Sequence, residues 1–465
     1  MSSVPDDHYQ QVLGALIGFR SGLYDCFTKR ADASFELVDA VLCASGPVTS
    51  LVELSEQKVF RRGHGALYEA LACGDIDVDR LAGLLAASWE PADAGPIKLA
   101  VDTSAWPRPD AVTSAGRCHC YRSCRCDGVR QTIPGWPFSF VAGLEWGADS
   151  HTAMLDVRRV GPGDDATVVT VEQVAGVIGR LGGAETLRDR PASIVTFDAG
   201  YDLTRIAYLA AQQDLGVQVL GRVRSDRVYY YAPTYQGRRD GRPGRPAKHG
   251  HRFELSKPAS LPDADEYLTA QSGRYGGVSV SAWHGLHQKL SRTGGWADFE
   301  VDLPIVSGTL IRIQVERLPG DRKPQDVWLW HHAPEGTVFD LDVLWKTYLR
   351  RFDLEHTFRM FKQDLGWTAP QIQTPEQGQR WSWLIVAAHT QLRLARALTA
   401  DMRRRWEKPI PAGRLMTPGR VRRGFATLRR ILGTPAAKPK PSRPGPGRPK
   451  GTLRPPGTRQ SRLCG

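Results

Sequence analysis

Long apolar runs are missing from this sequence of 465 residues. No stretch approaches the roughly 20 consecutive apolar residues that a membrane-spanning helix needs, so no membrane association is predicted. The N-terminal segment lacks a basic stretch followed by an apolar core, which argues against a signal peptide. Cysteine is also scarce, because 8 residues in a chain of this length do not make a disulfide framework. These absences together predict a cytoplasmic protein.

Acidic residues are almost missing from the C-terminal part of the chain. Residues 401–465 contain 18 Lys and Arg against 2 Asp and Glu, and the whole chain has a net charge of +13. A basic terminal segment is typical of an arm that binds a polyanion such as nucleic acid, although some basic tails only improve solubility. Pro and Gly are frequent after Pro409, which predicts a disordered basic tail over residues 411–465.

The length and the 41% hydrophobic content are those of a globular protein with two or three folded units. Residues 1–92 have apolar spacings of three to four residues, which predict a helical region; a role in DNA binding is a hypothesis. Residues 97–225 alternate strand-like and helical segments, which is typical of an α/β core with parallel strands. Residues 226–340 are β-rich and irregular. Residues 341–400 are helical again, with a long helix predicted from about Asp342 to Gly366.

Two aspartates each follow an apolar run of the kind that forms a buried strand. Asp102 follows IKLAV and Asp198 follows IVTF. A carboxylate at the C-terminal edge of a sheet can face solvent and a ligand while its strand remains buried. Two such carboxylates on adjacent strands could share divalent cations. Taken alone, an Asp in this position is more often a turn residue or a helix cap.

The predicted long helix combines an acid, two cations and a phenol. Tyr348, Glu355 and Lys362 are seven residues apart, close to two helical turns, so they share one stripe, and Arg351 lies about 60° to the side. An amphipathic helix with ordinary surface charges is the alternative. A neighbouring apolar stripe would dock the helix against the sheet; it consists of Leu354, Phe358, Phe361 and Leu365.

The spacing of these four polar residues resembles a known signature. Tyr, Arg, Glu and Lys separated by two, three and six residues are the signature of a large group of bacterial insertion-sequence transposases of the DDE class. Segments such as FDAGYDLTR and LRRFDLEHTFRMFKQDLGWTAP are similar to a group of actinobacterial transposases, and the similarity runs from roughly residue 50 to 450. The resemblance implies a ribonuclease-H-like core, formed by residues 97–225 and 341–400 and interrupted by the β-rich insertion.

The resemblance also implies a chemistry, namely DNA cleavage and strand transfer at the ends of a mobile element. Asp102, Asp198 and Glu355 would be the catalytic residues and the metal ligands. Carboxylate oxygens suit Mg²⁺, with Mn²⁺ as a substitute, and two such ions can assist an in-line displacement at phosphorus. Arg351 and Lys362 would hold phosphate oxygens, and Tyr348 would donate a hydrogen bond to one.

The partners implied are double-stranded DNA, both the element ends and the target, and a second copy of the chain in the DNA complex. Such a protein would be associated with the nucleoid. ATP is not implied, because the sequence lacks a GxxxxGK[ST] phosphate-binding loop. Two rival functions remain open. One is a nuclease or resolvase on the same fold that hydrolyses without joining, and the other is a non-catalytic DNA-binding protein derived from a transposase.

A cysteine cluster lies between the first two strands of the predicted core. Four thiols within nine residues could hold structural zinc, but the CxC spacing is tighter than the usual CxxC knuckle, and a loop of reduced thiols is the alternative. The cluster consists of Cys118, Cys120, Cys124 and Cys126.

Two further features suggest DNA contacts. Gly-Arg-Pro occurs twice at 241–246 and again at 447–449, and Arg448 flanked by Gly and Pro suits an extended arm in a narrow minor groove. The earlier pair could equally be a flexible loop. Trp283 lies in the insertion, where relatives stack an aromatic ring on a flipped base. That role needs an exposed ring, and most of the 13 Trp in this chain are expected in cores.

Overall fold

The computed structural model describes residues 4–123, 130–146, 151–183, 187, 190–234, 247–318 and 323–440. The helices are α1 (Val4–Asp25), α2 (Ala31–Cys43), α3 (Leu51–Ser55), α4 (His64–Cys73), α5 (Val78–Ala87), α6 (Ala166–Gly182), α7 (Leu203–Gln212), α8 (Leu341–Arg350), α9 (Phe352–Gln363), α10 (Pro375–Leu394) and α11 (Pro418–Leu432). Short 3₁₀ segments lie at Pro258–Ser260, Gly294–Trp296 and Ala395–Ala397.

The strands are β1 (Phe27–Lys29), β2 (Asp75–Ile76), β3 (Lys98–Pro107), β4 (Cys118–Ser123), β5 (Arg130–Leu144), β6 (Thr152–Arg159), β7 (Ile194–Phe197), β8 (Gln218–Val223), β9 (Val228–Tyr230), β10 (Arg252–Glu254), β11 (Glu266–Ser272), β12 (Gly276–Gln288), β13 (Gly308–Val315) and β14 (Val327–His332). Except for the β1–β2 pair, they form one mixed sheet. The predicted α/β class is confirmed.

The centre of this sheet has the order β6-β5-β3-β7-β8. Strands β3, β5 and β6 are antiparallel neighbours, whereas β7 is parallel to β3 and β8 is parallel to β7. All four residues of β7 are buried, as expected for a parallel strand that is covered on both faces. Helices α6 and α7 follow β6 and β7, and their apolar residues cover one face of the central strands.

The β-rich segment enlarges the same sheet instead of forming a separate one. Strand β14 pairs with the free edge of β8, and β13 and β12 follow in order. Both β9 and β11 pair with β12, and β10 pairs with β9. The sheet therefore continues from the central strands into residues 228–332.

The N-terminal helices pack against the C-terminal ones. Arg20 of α1 donates to Asp39 of α2 at 2.8 Å and to Gln391 of α10 at 2.6 Å, and Arg429 of α11 donates to Asp39 at 2.6 Å. One apolar core joins α1–α5 to α9, α10 and α11. Within the described residues, no helix is long and apolar enough to cross a membrane.

Two predictions about helices are wrong. The expected disordered tail from residue 411 instead contains α11, because Val421, Phe425 and Leu428 are spaced to bury one helical face in the core; residues 441–465 lie outside the described residues. The expected single helix from 342 to 366 is divided at Arg351. The Arg351 amide donates to the Tyr348 carbonyl three residues back, at 3.1 Å, which tightens one turn.

Candidate active site

The strand register brings Asp102 and Asp198 to one level of the sheet. Parallel pairing of β3 with β7 runs from Lys98 opposite Ile194 to Ala100 opposite Thr196, and Asp198 directly follows β7. Asp102 lies within β3, not at its end as the sequence suggested, because β3 continues alongside β5 to Pro107. It stands just beyond the point where the pairing with β7 stops. The two carboxylates therefore emerge from neighbouring strands at one position.

Helix α9 is docked against the same part of the sheet. The Phe358 and Phe361 rings lie 5.1 Å and 6.0 Å from the ring of Phe140, which pairs with Asp102 across β3 and β5. The Thr357 hydroxyl lies 2.7 Å from that of Thr152 on β6. The predicted apolar stripe is confirmed as the buried face of this helix. Glu355 is consequently held on the opposite, solvent-facing side, close to the two aspartates.

Arg351 joins the three acids. Its guanidinium nitrogens lie 3.3 Å from an oxygen of Asp102, 3.6 Å from Asp198 and 3.2 Å from Glu355. The Arg351 side chain is 3% exposed, whereas the three carboxylates are 22%, 44% and 50% exposed in the same order. The structure therefore brings together all three predicted acids around one buried cation.

The charges at this site are perturbed by their surroundings. Burial raises the pKa of Asp102 to about 6; Arg351 opposes the shift, and the charges of Asp198 and Glu355 add to it. Burial alone would lower the pKa of Arg351, but nearby groups, among them Asp198, Asp102 and Glu355, raise that pKa above its ordinary value. Desolvation lowers the pKa of Lys362, and the charge of Asp102 acts the other way.

The donor set suits a hard divalent cation, because three carboxylates from three elements converge where a positive charge already sits. In the part of the chain that the structure describes, however, no three His, Cys, Asp or Glu side chains form a metal-binding group on their own. The acids meet across the guanidinium of Arg351, which takes the place of a shared cation.

The cysteine cluster, for which zinc and a loop of reduced thiols were the two alternatives, shows no zinc site among the described residues. Cys118 and Cys120 lie on β4, and Cys124 and Cys126 lie outside the described residues. Burial raises the pKa of both β4 thiols, that of Cys120 to about 11, so both are protonated at neutral pH.

Three of the predicted DNA contacts are enclosed. The Trp283 ring is 5% exposed, packs on Phe253 and Trp328, and donates to the Pro262 carbonyl at 3.0 Å. Its expected role in base stacking is wrong for this structure, because the ring completes a core. Tyr348 is also buried, and burial raises its pKa although the charge of Arg351 acts to lower it. The Arg351 guanidinium thus faces the acids, and the Tyr348 phenol is enclosed beside it, not in free solvent. Arg448 lies outside the described residues.

One residue near the site was not predicted from the sequence. The Tyr201 hydroxyl lies 3.1 Å from that of Thr103, next to Asp102. Burial, followed by the charge of Asp102, raises the pKa of Tyr201, so the phenol stays protonated. Tyr201 comes three residues after Asp198 in the segment FDAGYDL, and this closeness in sequence was the available signal.

Comparison with known proteins assigns the chain to a family. No curated protein sequence matches the chain. Among solved structures, the chain is similar to the cryo-EM structure of a piggyBac transposase synaptic complex with hairpin DNA. The TM-score is 0.40 and the identity 11%, and the similarity covers 87% of this chain and 73% of that chain. Residues 22–289, more than half of the chain, match the family described as DDE superfamily endonuclease; the match includes Asp102 and Asp198 and ends before Glu355. The chain belongs to the DDE superfamily endonucleases.

Proposed function

We propose that this endonuclease is a DNA transposase that cleaves and joins DNA at the ends of an insertion sequence. The observation that supports this function most directly is the convergence of Asp102, Asp198 and Glu355 on one guanidinium. Three carboxylates from separate elements repel one another unless a cation lies between them, so the fold is arranged around positive charge. The strand order β6-β5-β3-β7-β8 supports a ribonuclease-H-like core.

Members of this superfamily generally use divalent metals such as Mg²⁺. In the proposed mechanism Asp102, Asp198 and Glu355 hold Mg²⁺, or Mn²⁺ as a substitute. When bound, two such ions would activate the attacking oxygen and stabilise the leaving oxygen at phosphorus. Asp102 must be deprotonated to take part, and its pKa of about 6 allows this at neutral pH.

Arg351 has to exchange partners during the reaction. In the structure its guanidinium contacts the carboxylates of Asp102, Asp198 and Glu355. Because a planar guanidinium can bind two phosphate oxygens as readily as two carboxylate oxygens, we propose that Arg351 turns to the scissile phosphate once the acids are occupied. Lys362, whose ammonium lies 5.7 Å from the centre of the Trp367 ring, would bind a phosphate as a point charge. Tyr348 orients Arg351 from its buried position.

The partners in this proposal are double-stranded DNA and a second copy of the chain, since two element ends must be joined in one complex. An association with the nucleoid would follow from DNA binding. Tail residues such as Arg448 would add contacts in the minor groove.

The test uses conservative acid variants. The substrate is a duplex that carries the inverted repeats expected on both sides of the reading frame. Asp102→Asn, Asp198→Asn and Glu355→Gln each remove a charged ligand and keep the shape. We expect each to abolish Mg²⁺-dependent cleavage while leaving the fold and DNA binding intact, and we expect the exposed control Glu335→Gln to cleave normally. Near wild-type cleavage by any one acid variant would remove that residue from the site.

A second assay separates the rival functions. Duplexes with pre-cut ends are offered together with a target plasmid, and joined products are scored. Joining supports a transposase. Hydrolysis without joining would indicate a nuclease or resolvase, and DNA binding without either reaction would indicate a non-catalytic descendant.

A further inference from the structure

Cations without carboxylate partners line a groove beside helix α9. The groove has a volume of about 790 Å³ and lies between α9, residues 401–417 and the first turn of α11. Arg359 of α9 stands on one side, and Lys408 and Arg414 stand on the other. Apolar side chains such as Ile410 and Leu415 also line it. Arg420, which pairs with Asp401, and the carboxylate of Asp364 line the groove as well, but Arg359, Lys408 and Arg414 keep its charge positive. Positive charge beside apolar patches suits a sugar–phosphate backbone.

Both acids of residues 401–417 are engaged in ion pairs with α11, which leaves the cations of this segment uncompensated at the surface. Asp401 pairs with Arg420 at 3.1 Å and Glu407 pairs with Arg423 at 2.6 Å. Among the described residues, no carboxylate lies within ion-pair distance of the five cations of the same segment. These exposed cations are Arg403, Arg404, Arg405, Lys408 and Arg414.

The groove begins next to the active site. His356, the neighbour of Glu355, and Arg359, one turn further on, both line it. Burial, followed by the charges of Arg359 and Arg274, lowers the pKa of His356.

A second group of cations lies beside Asp198. A cavity of about 330 Å³ begins at Ala199, directly after Asp198, and we call the four cations on it the β8 cluster. All four are exposed, and no carboxylate of the described chain lies within ion-pair distance of them. The β8 cluster consists of Arg222, Arg224, Arg227 and Lys289.

We propose that a DNA duplex crosses the active site from the β8 cluster to the α9 groove, which bind its phosphates on either side of the three acids. This path rests on the proposed function and specifies how the substrate lies. Duplex DNA carries about one charge per 1.7 Å of axis, so several phosphates face each cluster at once. The β8 cluster adjoins Asp198 and the α9 groove adjoins Glu355, so a duplex that contacts both brings its backbone to the metal ligands.

The test compares three triple variants with equal loss of charge. The groove variant is Arg359→Ala/Lys408→Ala/Arg414→Ala, and the cluster variant is Arg224→Ala/Arg227→Ala/Lys289→Ala. The matched control is Arg158→Ala/Arg252→Ala/Lys257→Ala, whose exposed cations are already paired with Glu172 or Glu254. Their loss costs little stability. Thermal unfolding verifies that each variant is folded.

Binding of a fluorescent duplex is measured by anisotropy across a salt series without divalent ions, so the readout does not depend on catalysis. The slope of log K against log salt decreases by about 0.9 for each phosphate that the protein no longer neutralises, so we expect a decrease of about 2–3 in each test variant. Affinity should fall at least roughly tenfold, as the loss of even one charge-assisted hydrogen bond implies. The matched control should stay close to wild type. Arg359→Lys/Arg414→Lys should retain the wild-type slope.

Wild-type slopes in both test variants would overturn the path. An equal loss in all three variants would also overturn it, because the effect would then be one of net charge. Altered sedimentation with unchanged DNA binding would instead make these surfaces contacts between copies of the chain. The proposed function is tested separately: a wild type that cleaves while the test variants bind normally refutes only the path. A wild type that binds through these cations but never cleaves refutes only the function.

Discussion

Replacing Arg351 by Met should make the metal-free protein less stable and more dependent on divalent ions. The substitution keeps an unbranched side chain of similar length and removes the cation that contacts Asp102, Asp198 and Glu355. The three carboxylates then face one another without compensation. A divalent ion would relieve the same repulsion, so the variant should gain more stability from Mg²⁺ than the wild type does.

The magnitude follows from the exposure of each partner. Breaking a buried pair by removing one member costs about 3–5 kcal/mol, whereas an exposed pair contributes about 0–1 kcal/mol. Asp102, which is 22% exposed, is nearer the first case, and Asp198 and Glu355, at 44% and 50%, belong to the second. Protonation of Asp102 limits the loss. We therefore expect the free energy of unfolding to fall by about 2–4 kcal/mol at neutral pH.

The pH dependence has a defined sign. The folded-state pKa of Asp102 is about 6, above its ordinary value of 3.8, so its contribution to stability is present at low pH and is lost as pH rises through about 6. Arg351 opposes that loss by stabilising the carboxylate. The penalty of Arg351→Met should consequently be larger at pH 7 than at pH 5.

Urea unfolding with EDTA or with Mg²⁺, at both pH values, measures these differences. The control is Arg350→Met, because Arg350 donates to the Glu145 carbonyl at 2.8 Å and pairs with Asp353 at 2.9 Å, away from the three acids. The control can lose stability, but it should not gain extra stability from Mg²⁺. If Arg351→Met is as stable as the wild type in EDTA, and Mg²⁺ stabilises both equally, the guanidinium is not compensating the acids.

Three other outcomes are expected. Phe425→Ala should lower the free energy of unfolding by about 3–5 kcal/mol in urea, because its ring is buried where α11 meets the core; a loss below 1 kcal/mol, on the order of a surface change, would mean that α11 is not part of that core. His389→Phe should lower the pH at which the protein unfolds in an acid titration. Burial lowers the pKa of His389 to about 3, so the contribution of His389 to stability is lost as pH falls from about 6.5 toward that value. An unchanged pH of half-unfolding would contradict this. Lys362→Ala should slow the joining of pre-cut ends about ten- to a hundredfold without weakening metal binding; full rescue by excess Mn²⁺ would make Lys362 a support of the metal site.

The central strands and the three acids were within reach of sequence reasoning because their signals are local. The apolar run before Asp198 forms a fully buried parallel strand, and the stripe containing Phe358 and Phe361 docks α9 on the sheet. Periodicity and strand ends determine which residues face a site. They do not determine where a strand stops, and Asp102 lies inside β3 because the pairing partner β5 is long.

The errors in the sequence-based predictions come from tertiary contacts. Composition predicted a disordered tail from residue 411, yet Arg422 of α11 donates to the carbonyls of Val41 and Gly46, and Phe425 fills a core built by distant helices. Trp283 was a candidate for base stacking, which needs an exposed ring, but it packs against Phe253 of β10 and Trp328 of β14, which lie on other strands. No local pattern encodes such partners.

The division of the long helix at Arg351 changes what the Tyr-Arg-Glu-Lys spacing means for DNA binding. Tyr348 and Arg351 are both enclosed, and the guanidinium lies 5.9 Å from the Tyr348 ring while it contacts the acids. The free protein therefore presents the half-exposed carboxylate of Glu355 at this point, which repels a phosphate, and no exposed charge of Arg351. Under the proposed function, first contact with DNA would therefore rely on exposed cations other than Arg351, such as Arg359 one turn beyond Glu355. Substitutions of Arg351 should accordingly affect joining far more than duplex binding, and the opposite should hold for Arg359.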